Sequence, residues 1–106
     1  MALASAAGER GYEAWARKLL GDVTQEESSN SRESLNLYAA SMALATESAM
    51  HPLQAHIHLS LGRLHRREDQ LEKAKAELCV ALTSYRNMEM PIWIGAAEQE
   101  LSTLLK

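Results

Sequence analysis

Residues 42–62 read MALATESAMHPLQAHIHLSLG and restate, 41 positions on, the first 21 residues, MALASAAGERGYEAWARKLLG. Met1, Ala2, Leu3 and Ala4 match Met42, Ala43, Leu44 and Ala45; Ala14 matches Ala55; Leu20 and Gly21 match Leu61 and Gly62. Self-similarity at such a period is the mark of a repeat architecture and decides the fold before any local propensity does. Leu53, Ile57, Leu61 and Leu64 fall at i, i+4, i+8 and i+11, one stripe of an α-helix. Tyr12, Ala16, Leu20 and Val23 precede them in the same register, and a shift of 40 brings Trp93, Ala97, Leu101 and Leu104 after them. Gly21, Gly62 and Ser102 share one small position. Three helices stand on one template.

Two further helical stretches lie between these copies. Leu71, Ala74, Leu78, Ala81 or Leu82, Tyr85 and Met88 step by threes and fours, and Leu35, Tyr38, Met42 and Ala45 do so more weakly. Asn30 with Glu33 and Asp69 with Glu72 have the spacing of a capping box. Pro52 and Pro91 suit a first helical turn, where a missing N–H costs nothing. The pattern predicts helices over 12–25, 31–48, 52–66, 70–88 and 91–105. Residues 1–11 read as the remnant of a preceding helix followed by a turn at Gly8 and Gly11, and Gln25 to Ser31 reads as a loop. The core register sets Leu61 opposite Leu78. The chain divides on this reading into a first repeat over 12–49, a second over 51–88 and a capping helix over 91–106, all within one domain.

Composition supports the helical reading and narrows function. Of 106 residues 17 are Ala and 16 are Leu, whereas Val and Ile total five and Phe is absent, a mixture that favours helix and starves a sheet. One Cys excludes a disulfide scaffold. A net charge of −3 argues against a general nucleic-acid binder. No apolar run approaches the roughly 18 residues of a membrane span, and no secretory leader is visible at the N-terminus. The expectation is an all-α cytoplasmic domain with no membrane and no nucleic-acid partner.

Helix pairs of this length, with Leu61-Gly62 in a first helix and Ala74, Leu78 and Ala81 in a second, resemble tetratricopeptide repeats. His58 and His65 stand where Trp and Tyr are typical; in the first repeat Ser34 and Ser41 replace the Ala positions, Tyr38 the bulky one and Thr24 the Tyr one. The strings GYEAWARKLLGD, HPLQAHIHLSLGRLHRR and ALTSYRNMEMPIWIGAAEQEL are similar to the C-terminal tetratricopeptide regions of large bacterial proteins with an adenylate-cyclase-like or ATPase domain upstream. The resemblance implies antiparallel helix pairs stacked as a short right-handed superhelix of about two and a half repeats. It also implies a concave groove, lined by the first helix of each pair, that receives a partner segment. Transferred to this chain, the groove positions are Trp15, Lys18, Asp22 and Gln25; then His56, Leu59, Arg63 and Arg66; then Ala96, Gln99 and Thr103. Lys18, Arg63 and Arg66 make this face basic, which suits an acidic peptide or C-terminal carboxylate. Asp22 stands where the carboxylate clamp of chaperone-binding relatives has Asn.

No catalytic or cofactor motif is present. His51, His56, His58 and His65 are spaced by five, two and seven residues, so no adjacent pair converges on a metal, and His58 and His65 fall on inward positions. Cys79 reads as a small, partly buried thiol. Glu98 and Glu100 read as solvated charges, and Trp93 as core. The expected function is a non-catalytic protein–protein interaction module, the regulatory or scaffold end of a larger bacterial signalling protein. The alternative is a helical DNA-binding transcriptional regulator, supported by five Lys and Arg between Arg63 and Lys75. Apolar positions at Leu3, Tyr12 and Ala16 and at Leu101, Leu104 and Leu105 lie on terminal helix faces without a neighbour, which predicts a homodimer formed there.

Overall fold

The computed structural model describes the backbone of residues 6–27 and 31–104 and the side chains of 11–27 and 31–104. Five helices follow one another: α1 (Ala6–Glu27), α2 (Ser31–Glu47), α3 (His51–Arg67), α4 (Leu71–Asn87) and α5 (Pro91–Leu104). Among the described residues there is no strand, so the all-α class is the observed one. No helix among them is long and apolar enough to cross a membrane.

From α2 onward the helices begin every 20 residues, and one device makes each of their turns. Ala49, Asp69 and Glu89 adopt left-handed backbone, with φ of 53°, 61° and 53°. The following N–H groups reach back into the finished helix, Met50 to the Ala45 carbonyl at 2.8 Å, Gln70 to His65 at 2.9 Å and Met90 to Tyr85 at 3.0 Å. The left-handed residues bond one turn back as well, Ala49 to Thr46, Asp69 to Arg66 and Glu89 to Arg86. This is the Schellman closure, which satisfies the last carbonyls of a helix and normally uses Gly. Asp69 is therefore the end of α3 and not the capping residue of α4. Gln70 takes that place and makes no side-chain cap bond. Asn30 lies outside the described residues.

Two other boundaries differ from the sequence reading. The turn expected at Gly8 and Gly11 is helix, since α1 starts at Ala6 and runs through both. Two helical glycines cost about 1 kcal/mol each, which the rest of α1 tolerates. The loop expected from Gln25 is also helical as far as Glu27. Residues 1–5, read as the remnant of an earlier helix, lie outside the described residues.

The chain divides within α3 into two compact units, residues 1–57 and 58–106. In the first, α1 and α2 pack closely. α2 buries Ser34, Tyr38, Ser41 and Ala45, one stripe at i, i+4, i+7 and i+11. Tyr38 lies on Gly21 of α1 so closely that a Cβ there would sit 2.9 Å from its ring. The Ser41 hydroxyl donates to the Ala14 carbonyl at 2.6 Å. In the second unit α4 buries the equivalent stripe, Ala74, Leu78, Ala81 and Tyr85. Leu78 lies on Gly62, where a Cβ would be 2.6 Å from its Cγ and Cδ2. The repeat read from residues 1–21 and 42–62 is thus a repeat of packing: each unit seats one bulky side chain on one glycine.

The seat of Leu78 is Gly62 and not Leu61, which is only half-buried. The α1 counterparts of the buried Leu53, Ile57 and Leu64 are exposed: Tyr12 at 81%, Ala16, and Val23 at 50%. Trp93, read as core, is partly exposed and stacks on buried Tyr85 with ring centres 6.0 Å apart. Cys79 is exposed, not partly buried.

Candidate functional site

In the first unit Trp15, Lys18 and Asp22 fall at i, i+3 and i+7 and so share one side of α1. The Lys18 ammonium lies 2.6 Å from Asp22 Oδ2. The other Asp22 oxygen accepts the Tyr38 hydroxyl at 2.5 Å, and that hydroxyl in turn accepts Gln25 Nε2 at 2.9 Å. Asp22 is therefore engaged twice, by a cation and by a phenol, and its charge is offset by Lys18. Gln25 is buried in this network and presents little surface.

His56 of α3 joins the same cluster. Its ring lies 5.7 Å from that of Trp15, tilted by 48°. His56 is buried, while Trp15 keeps 37% of its surface exposed. Burial pushes the His56 imidazole below its ordinary value, and nearby Lys18 adds to the effect, with Asp22 opposing it. The half-exposed Trp15 indole, backed by the tilted and buried His56 ring, offers apolar surface beside the Lys18–Asp22 pair. Such a surface can hold an apolar or aromatic side chain of a partner.

The second unit carries a charged cluster. Arg63 Nε lies 3.2 Å from Glu100 Oε1, and Arg66 Nη1 lies 2.7 Å from Glu100 Oε2. Two guanidiniums from successive turns of α3 hold the two oxygens of one carboxylate supplied by α5. Farther out, Arg86 pairs with Glu98 at 3.0 Å, with both side chains more than half exposed. His58 Nδ1 meets Glu77 Oε1 at 2.6 Å, and His65 is half-buried with its Nδ1 unpartnered. Burial pushes the Tyr85 phenol up, against a smaller opposing influence of Arg63. Among the described residues no group of three His, Cys, Asp or Glu side chains could hold a metal.

Eight of the eleven groove positions read from the sequence fall as follows. Trp15, Lys18, Asp22 and His56 come together in the first unit, and Arg63 and Arg66 come together in the second. Leu59 is buried and Gln99 is exposed, its carbonyl accepting the Thr103 hydroxyl at 3.0 Å. Glu100, read as a solvated charge, is a correction: its side chain is only 17% exposed. The repeat register holds a signal for it, because Glu100 is the 40-residue counterpart of Ser60, which is buried. Compared with known proteins, the chain matches no family model, no curated protein and no solved structure.

Proposed function

We propose that this chain is a non-catalytic protein-interaction module of tetratricopeptide type, the regulatory or scaffold end of a larger bacterial signalling protein in the cytoplasm. Its ligand is an acidic segment of a partner protein, bound at Arg63 and Arg66 of α3. The observation that carries this reading is the grip of Arg63 and Arg66 on both oxygens of one carboxylate. Paired guanidiniums in that arrangement recognise carboxylate by geometry as well as charge. The partly exposed Trp15 indole supports the reading with an apolar anchor of the kind that dominates interface energies.

Calorimetric titration of the chain with an acidic peptide is the test. Replacing Arg63 and Arg66 together by Gln is expected to weaken binding by about tenfold or more, since charged hydrogen bonds contribute about 1.5–3 kcal/mol each. Lys75→Gln, at an exposed position of α4, is expected to change it little. Salt-dependent binding of duplex DNA with no peptide binding would replace this reading by that of a DNA-binding regulator.

We further propose that two copies associate as a homodimer through a terminal helix face. Tyr12, Leu19, Leu20 and Val23 support α1 as that face, each being at least half exposed.

A further inference from the structure

Glu100 is the least exposed of the three charges it joins. Its side chain is 17% exposed, against 42% for Arg63 and 32% for Arg66. Glu98, two residues earlier on α5, serves the outer Arg86 instead. Two glutamates of one helix thus differ in what they do, one pairing at the surface and one set inside a fork of two arginines.

We infer that Glu100 is the internal counter-anion of the Arg63–Arg66 fork. It occupies in cis the donors that an acidic partner segment would use, and so holds down the fork's affinity for carboxylate. The inference rests on the proposed reading of Arg63 and Arg66 as ligand contacts. Two cations and one anion leave a single positive charge. An incoming carboxylate has two routes to it. It can share the remaining N–H donors, in which case it meets Glu100 at short range, where solvent screens a mostly buried charge poorly. Or it can displace Glu100, which leaves a mostly buried carboxylate without a partner. Both routes weaken binding, and removing the charge of Glu100 relieves both. Regulation follows from the same geometry: any shift of α5 that withdraws Glu100 turns a half-neutralised fork into an open one.

The experiment is fluorescence anisotropy of fluorescein-labelled hexaglutamate titrated with the whole chain at physiological salt. Glu100→Gln is expected to tighten binding by about tenfold, the worth of one charged contact. Glu98→Gln removes the same charge from the same helix and is expected to change binding by less than about twofold, as for an exposed pair. Adding Arg63→Gln and Arg66→Gln to Glu100→Gln is expected to abolish the gain. Equal tightening by Glu98→Gln and Glu100→Gln would mean diffuse charge and overturn the inference. If the parent chain binds, loses binding on Arg63→Gln with Arg66→Gln, and is unchanged by Glu100→Gln, the interaction reading stands and the counter-anion is overturned. If no form binds the peptide, both fall. Should Glu100→Gln lose its helical circular dichroism, Glu100→Asp withdraws the carboxylate by one methylene and keeps the charge. A smaller gain is then expected, and an unchanged affinity overturns the inference.

Discussion

Two glycines in helices of the second unit make opposite predictions. A methyl group at Gly62 would lie 2.6 Å from Leu78, which is fully buried and cannot step aside, whereas Gly95 of α5 has nothing within 4 Å of the same position. Ala improves helix propensity by about 1 kcal/mol at both sites. At Gly62 overpacking of about 1–3 kcal/mol outweighs that gain. Gly62→Ala is therefore expected to lower the melting temperature and Gly95→Ala to raise it, in paired calorimetric scans. A buried imidazole gives a second prediction at this scale. The folded His56 pKa lies below 6.5, so the unfolded chain binds more protons as pH drops from that value. Stability is expected to be full above pH 6.5 and to be lost as pH falls through the lowered folded value. His56→Gln should flatten that part of a urea-midpoint-against-pH profile. At this scale the sequence was legible where size alone mattered, as at Gly21 and Gly62. Local spacing gives no sign that Glu100 is buried, because that depends on cations from another helix, and only its repeat register with buried Ser60 carries the signal.

At the scale of elements, the three turns between α2 and α5 were placed correctly for reasons unrelated to how they are built. Helical periodicity and Pro52 and Pro91 mark the joints to within a residue or two. The chain offers no Gly or Asn at 49, 69 or 89, so the left-handed closures carry no local signature. An L-residue in that conformation costs about 1–2 kcal/mol, less for Asp, whose short polar side chain bonds locally. Ala49→Gly and Glu89→Gly are each expected to stabilise the fold by up to about 1 kcal/mol, and Asp69→Gly by less. Chemical denaturation of the three variants checks the order. The start of α1 was misread for the converse reason: Gly8 and Gly11 are signals of a turn, yet a helix of 22 residues passes through them.

For the whole molecule, the repeat extends the comparison from single positions to faces. The α3 stripe of Leu53, Ile57 and Leu64 is buried, and its α1 equivalent, Tyr12, Ala16 and Val23, is exposed. Together with Leu19 and Leu20 this face is large enough to drive the association proposed above. Light scattering at micromolar concentration is expected to give about twice 11.7 kDa. Leu20→Glu is expected to shift the population towards monomer with little change in far-ultraviolet circular dichroism. A monomeric mass over a hundredfold range of concentration, on the order of the span such titrations cover, would remove the proposal. Leu3, on the same predicted face, lies outside the described residues.

A chain that uses one template twice has a problem of self-recognition. Apolar stripes alone do not distinguish α2 from α4 as the mate of α1, since each offers a bulky side chain to a glycine. The Tyr38 hydroxyl makes the distinction. It bonds both Asp22 and Gln25, and Leu78 in its place would remove the hydrogen bond that each makes to it. The loss of such a hydrogen bond costs about 1 kcal/mol, and more where one partner is charged. One oxygen atom thus proofreads which helix answers which, and a Tyr38→Phe chain would keep its packing while losing the means to reject the wrong mate.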